Sequence, residues 1–145
     1  MKEYRIYMAG GMSKFGKENF YLSNNWREYC KDILEQYNCN YKVKAINPNS
    51  YFNFVDKIPK YKSNKEVMEF DLHKVRTSDL IIVNFNDMYS LGTMAEISIA
   101  YERRIPIIGL DTENKILHPW QSEMCNRIFT NINDMLFYVK DYYLS

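Results

Sequence analysis

No stretch of the sequence is apolar for long enough to cross a membrane. The two longest runs, Leu80 to Val83 and Ile105 to Leu110, fall far short of the ~20 residues a spanning helix needs. Residues 1–20 lack the basic-then-apolar layout of a secretory leader, because Ile6–Tyr7–Met8–Ala9 is too short an apolar core. An excess of one charge is missing too. Nineteen Lys and Arg stand against eighteen Asp and Glu, a formal +1, which offers no basic face to a nucleic-acid polymer. The three cysteines (Cys30, Cys39, Cys125) include no Cys-x-x-Cys, and the two histidines (His73, His118) show no ligand spacing. Neither a disulfide framework nor a metal site is expected, and the thiols read as reduced. No polar tract exceeds a loop in length, and aromatics make up 16% of the chain, which argues against disorder. The expectation is one cytoplasmic globular domain over residues 1–145, a length with hardly room for two cores.

Apolar periodicity orders the elements. Tyr4 to Ala9 reads as a buried strand ended by Gly10–Gly11, and Glu18 to Asn38 as a helix with a stripe at Tyr21, Leu22, Trp26, Tyr29, Cys30, Ile33, Leu34 and Tyr37. Tyr41 to Ile46 is a second strand stopped by Asn47–Pro48–Asn49–Ser50, followed by a long irregular stretch over 47–64. Lys65 to Thr77 is helical. Asp79 to Phe85 is apolar on both faces, as a central parallel strand is. Ser90–Leu91–Gly92 opens a helix to about Arg103, Arg104 to Leu110 is another doubly apolar strand, Arg127–Ile128–Phe129 a short edge strand, and Ile132 to Tyr143 a closing helix. Strands alternating with helices predict a doubly wound, flavodoxin- or Rossmann-like α/β domain with a parallel sheet of about five strands. Ligands of such sheets bind beyond the carboxyl ends of the strands, here after Ala9, Ile46, Phe85 and Leu110.

The segment from Gly11 to Glu18 nearly spells the G-x-x-x-x-G-K-[ST] phosphate loop. Its last position fails, since Glu18 stands where a hydroxyl must ligate magnesium, and Asn84 rather than Asp follows Val83. The dinucleotide fingerprint G-x-G-x-x-G is absent as well. No cofactor is expected.

Three segments carry the chemistry: Ile6–Tyr7–Met8–Ala9–Gly10–Gly11–Met12; Asp71 with Ser78–Asp79–Leu80; and Ser90–Leu91–Gly92–Thr93–Met94–Ala95–Glu96, running on to Ala100. Together they resemble the nucleoside 2-deoxyribosyltransferase family, including its phage-type branch and the related nucleoside-monophosphate N-glycosidases. The resemblance runs from Tyr4 to Val139. It takes in Trp26–Arg27, Asn47–Pro48, Ile105–Pro106–Ile107 and His118–Pro119–Trp120, the last near where the family has a short substrate-contacting loop. It implies a nucleophilic glutamate at Glu96, a second acidic residue acting at the leaving base at Asp71, and a tyrosine orienting the nucleophile at Tyr7. Substrate contacts are implied at Gly10, Gly11, Met12, Ser90, Gly92, Thr93, His118 and Trp120.

Physical chemistry adds its own weight. Glu96 falls in the first turns of a helix, where free amides and the macrodipole favour the ionised carboxyl, and an ionised carboxylate is what attack on an anomeric carbon requires. A nucleobase leaves poorly as an anion, so a proton donor is needed beside it. Glu69 and Asp79 compete with Asp71 for that task, although Asp79 reads as a cap on the helix-to-strand turn and His73 as a surface or packing residue. The better-known deoxyribosyltransferases carry an aspartate six residues before the glutamate, where this chain has Ser90, as the monophosphate N-glycosidases do. The latter also place an arginine in the first loop, where this chain offers Lys14. The expected activity is transfer of the sugar of a (deoxy)nucleoside to another nucleobase. Hydrolysis of a nucleoside 5′-monophosphate is the second reading and a non-catalytic nucleotide sensor the third. The resemblance also implies a homo-oligomer in which Leu117–His118–Pro119–Trp120 reaches a neighbour's pocket, with His118 donating to the substrate's 5′ group.

Overall fold

The computed structural model describes residues 1–12, 18–51 and 63–145. Alternation decides where each side chain of the first strand goes. In β1 (Lys2–Gly10), Ile6 and Met8 pack on one face with Cys30 and Leu34 of α1 (Tyr21–Gln36). Tyr7 and Ala9 point to the other face, as the two-residue period of a strand requires. That second face is covered by α2 (Asn64–Arg76) and α3 (Leu91–Glu102), through Val75, Ile97 and Ala100. α5 (Ile132–Tyr138), continued by one wider turn over Val139–Tyr143, shares the first face with α1 through Met135, Leu136 and Val139.

Five parallel strands make one sheet in the order β2-β1-β3-β4-β5, with β2 at Tyr41–Ile46, β3 at Leu80–Asn84, β4 at Ile107–Leu110 and β5 at Arg127–Phe129. β3 is buried along its whole length, and each of Ile81 and Ile82 contributes about 1.5–3 kcal/mol by leaving water. The predicted doubly wound fold and its strands are therefore present. β1 outruns its neighbour: pairing with β2 ends at Tyr7–Ile46, whereas pairing with β3 continues to Gly10–Asn84.

Several boundaries differ from expectation. The first helix starts at Tyr21, not Glu18, since residues 18–20 form a turn. β4 starts at Ile107, not Arg104, because α3 ends in a Schellman turn. There Arg104 takes the left-handed conformation (φ 59°), its N–H donates to Tyr101 O, and Ile105 N–H donates to Ala100 O. The His118–Pro119–Trp120 segment is not a loop but the start of a short helix, α4 (Pro119–Met124). His118 caps it: its Nδ1 accepts from Trp120 N–H at 3.1 Å, and its own N–H donates to Gln121 Oε1 at 3.0 Å. Of the long irregular stretch, Pro48–Ser50 forms a 3-10 turn capped by Asn47. Its remainder over 52–62, and Lys14 with residues 13–17 of the phosphate-loop lookalike, lie outside the described residues.

Candidate active site

Tyr7 comes from the middle of β1 and has no exposed surface. Across the layer, Glu96 in the second turn of α3 is buried, and the Tyr7 hydroxyl donates a short hydrogen bond to its Oε2. Asp71 stands half-buried on α2, the helix packed beside α3. Burial is the main influence on both carboxyls. It pushes Glu96 from its ordinary 4.5 up to about 7, with the Tyr7 hydrogen bond pulling the other way and the charge of Asp71 adding to the rise. Asp71 is pushed up to about 6, again by desolvation, against the pull of Arg27. Tyr7 is raised well above its usual value by burial and by the two carboxylates, so its proton stays in the bond to Glu96. The expectation that helix position would favour the ionised Glu96 is thus corrected. The macrodipole fades beyond the first turn, Glu96 is the sixth residue of α3, and loss of water outweighs it.

A fourth group stands at this centre. Arg27 is fully buried on α1. Its Nε donates to Met8 O at 3.0 Å and Nη2 to Gly10 O at 2.9 Å, while Nη1 donates to Ser23 O. Its charge acts on Tyr7, Glu96 and Asp71, and it remains a cation at neutral pH although burial lowers it to about 10. In the sequence Arg27 stands beside Trp26 with no task assigned to it. The signal was available: Ser23, Arg27, Cys30 and Leu34 are the buried positions of α1, so a cation occupies a place in the helical stripe that apolar spacing reserves for the core.

Gly10 ends β1 and Gly11 follows it. A Cβ on Gly10 would lie 3.1 Å from Asn84 O and from the Trp26 ring, and one on Gly11 would lie 2.6 Å from Asp87 Cβ, so the backbone approaches its neighbours as only glycine permits. Gly11 N–H donates to Asn86 Oδ1 at 3.0 Å, an asparagine that the sequence reading passed over and whose place just after β3 was its only signal. Met12 follows, half-buried. At the start of α3, Ser90 Oγ accepts from Thr93 N–H at 3.3 Å and from Thr93 Oγ1 at 2.9 Å, so both side chains are engaged in capping. Gly92 is exposed, with open space where a Cβ would stand.

His118 and Trp120 are not gathered with Glu96. They are exposed and line a groove of about 490 Å³ with Tyr89, Leu91, Ile116 and Met94, on the flank of α3 away from the buried Glu96 face. The competitors for Asp71 are also placed. Glu69 is exposed, 3.9 Å from Lys65. Asp79 caps no helix; its Oδ2 accepts from Arg5 N–H at 2.8 Å and so fixes the start of β3 to β1. His73 is exposed, as expected. Among the described residues, no cluster of three or more His, Cys, Asp or Glu is arranged to hold a metal, and no helix is long and apolar enough to cross a membrane.

Residues 6–136 match the family model described as nucleoside 2-deoxyribosyltransferase. The chain belongs to that family. The fold is also that of solved relatives. A conserved protein from Enterococcus faecalis V583 superposes with a TM-score of 0.75 at 18% identity, over 96% of this chain and 98% of that one. The 2-deoxyribosyltransferase of Bacillus psychrosaccharolyticus gives 0.68 at 16% identity (92% and 91% covered), and the CMP N-glycosidase of Clostridium botulinum 0.62 at 18% (95% and 98%). Among curated proteins, none matches the sequence. Membership of the nucleoside 2-deoxyribosyltransferase family supports an enzyme of the deoxyribosyltransferase and N-glycosidase type, acting on nucleosides or nucleotides and their bases.

Proposed function

We propose that the protein transfers the sugar of a (deoxy)nucleoside to a second nucleobase through a glycosyl ester on Glu96. The observation that carries this reading is the buried Glu96 carboxyl, held by the Tyr7 hydroxyl and electrostatically coupled to Asp71. In the first half-reaction a Glu96 oxygen forms a bond to the anomeric carbon. The C–N bond breaks, its electron pair stays on the departing base, and Asp71 supplies the proton that neutralises that base. In the second half, a nitrogen of the incoming base attacks the same carbon, its proton passes to Asp71, and the ester electrons return to Glu96. Tyr7 fixes the attacking oxygen and stabilises its charge before attack. Transfer between two bases needs no cofactor, and the cytoplasm, where nucleosides and bases occur together, is the compartment that fits.

Hydrolysis of a nucleoside 5′-monophosphate is the alternative, with water in place of the second base. One observation favours it: the cap of α3 is the neutral Ser90 where the deoxyribosyltransferases carry an aspartate, and a neutral helix start suits a phosphate better than a carboxylate does. Incubation with deoxyinosine plus adenine, then with deoxynucleoside monophosphates alone, with bases resolved by chromatography, separates the readings. Base exchange supports transfer, release of free base from the monophosphate supports hydrolysis, and no turnover in either leaves a binding protein and overturns both.

The same reading includes assembly. The exposed apolar groove around Trp120, Tyr89, Leu91 and Ile116 is the kind of surface that meets another subunit. His118 on that flank would serve a neighbour's site rather than its own. Mixing inactive Glu96→Ala and inactive His118→Ala proteins is expected to restore part of the activity once subunits exchange. A fully active monomer by light scattering refutes the shared site.

A further inference from the structure

β1 continues for three residues beyond the last pairing with β2. Met8 and Gly10, two residues apart, turn their carbonyls to the same edge of the strand, and beyond Ile46 there is no β2 backbone to meet them. Arg27 Nε and Nη2 donate to those two carbonyls at 3.0 and 2.9 Å. A side chain from α1 thus stands in for a strand that has stopped.

Hydrogen bonding alone does not account for an arginine there. Neutral donors could serve two carbonyls, whereas a buried cation carries a heavy desolvation cost. Its three hydrogen-bond acceptors are all backbone carbonyls, and among the described residues it forms no ion pair within 4 Å. The ionisable groups that face it are Tyr7 from β1, Asp71 from α2, Glu96 from α3 and Cys30 from its own helix. Three of those four belong to the proposed catalytic set. Its other neighbour, the Trp26 ring at 4.8 Å, covers the cation on one side.

We infer that Arg27 is a positioning residue: it fixes the end of β1 in the absence of β2, and its charge keeps the Glu96–Asp71 pair able to carry a negative charge next to Tyr7. The inference rests on the reading of Glu96 as nucleophile, but its effect on Glu96 is measurable without turnover. The charge of Arg27 acts to ease proton release from both carboxyls, so a neutral residue in its place leaves Glu96 protonated over a wider pH range.

The test is a carbon NMR titration of protein labelled at the glutamate carboxyls, the Glu96 signal being assigned by its loss in Glu96→Gln. Arg27→Met and Arg27→Gln, two neutral variants of which the second still donates to a carbonyl, are expected to raise the Glu96 midpoint by about one pH unit, a tenfold change in proton affinity. Arg27→Lys, which keeps the charge, is expected to stay within about 0.3 of wild type. In turnover, both limbs of the kcat/KM profile move in the same direction, and kcat falls in the neutral variants while KM changes less than about threefold. A midpoint unmoved in folded neutral variants, or moved equally in Arg27→Lys, overturns the inference. A wild-type protein without turnover overturns the proposed function instead, and the titration still decides the part played by Arg27.

Discussion

Glu96→Gln is expected to make the protein more stable and inactive at the same time. The substitution keeps the shape of the side chain and an oxygen able to accept from the Tyr7 hydroxyl, and it removes the charge. In the unfolded chain the carboxyl gives up its proton near its ordinary 4.5; in the folded protein burial holds it until about 7. Between those values the folded state binds more protons, so stability falls as pH rises and the loss is complete above about 7. The gap, at 1.36 kcal/mol for each tenfold change in proton affinity, sets a ceiling of about 3 kcal/mol. Glutamine escapes that loss. At pH 8 it is expected to raise the melting temperature by several degrees, at roughly 2–4 °C per kcal/mol for a domain of this size, and at pH 4 to change it little. Paired urea melts at the two pH values read the difference directly. A Gln variant no more stable than wild type at pH 8 refutes the claim that burial strains the carboxylate. On the catalytic side, more than about a tenth of wild-type turnover, a barrier change of only ~1.4 kcal/mol, refutes its assignment as nucleophile.

Asp71→Asn is expected to slow cleavage of natural nucleosides by about 10²–10⁴-fold and release of p-nitrophenol from the matching glycoside far less; equal losses on both point to a binding role. The Glu96–Asp71 pair must hold a single proton to supply both an ionised nucleophile and an acid, so kcat/KM is expected to follow a narrow bell with its maximum between about 6 and about 7, and a flat profile from pH 5 to 9 contradicts the pairing. Tyr7→Phe removes the donor that lowers the proton affinity of Glu96, so the alkaline limb of that bell is expected to move above about 7, and an unchanged limb removes Tyr7 from the mechanism. Gly11→Ala places a Cβ 2.6 Å from Asp87 Cβ, which is expected to cost about 1–3 kcal/mol in urea melts; wild-type stability shows that the two loops are free to part.

The sheet was readable because β3 and β4 are apolar on both faces and bounded by turn residues, and parallel strands buried on both sides have few alternatives. The start of β4 was not readable, because the residue that ends α3 in the left-handed conformation is Arg104, where glycine usually stands. The capping of α4 by His118 was equally hidden. Histidine is not among the usual caps, and what serves here is the chance fit of Nδ1 to the Trp120 N–H. In the site, the meeting of Tyr7 with Glu96 came through family resemblance. The electrostatics did not, because proton affinity depends on how far water is excluded from residue 96, a property of α3 packed on β1 and β3 and not of the local sequence.

The strand order has a consequence for synthesis. β1 leaves the ribosome first, yet its place is in the sheet interior, and its β3 partner begins with Leu80 opposite Ile6. At about 5–20 residues per second, the growing chain carries Ile6–Tyr7–Met8–Ala9 without one of its two neighbours for roughly 4–15 s. Among strands only the short β2 can pair with it meanwhile, and that pairing stops at Tyr7, while α1 covers only the Ile6 and Met8 face. The segment bearing Tyr7 is therefore the part of the nascent protein most open to capture by chaperones or by another unfinished copy.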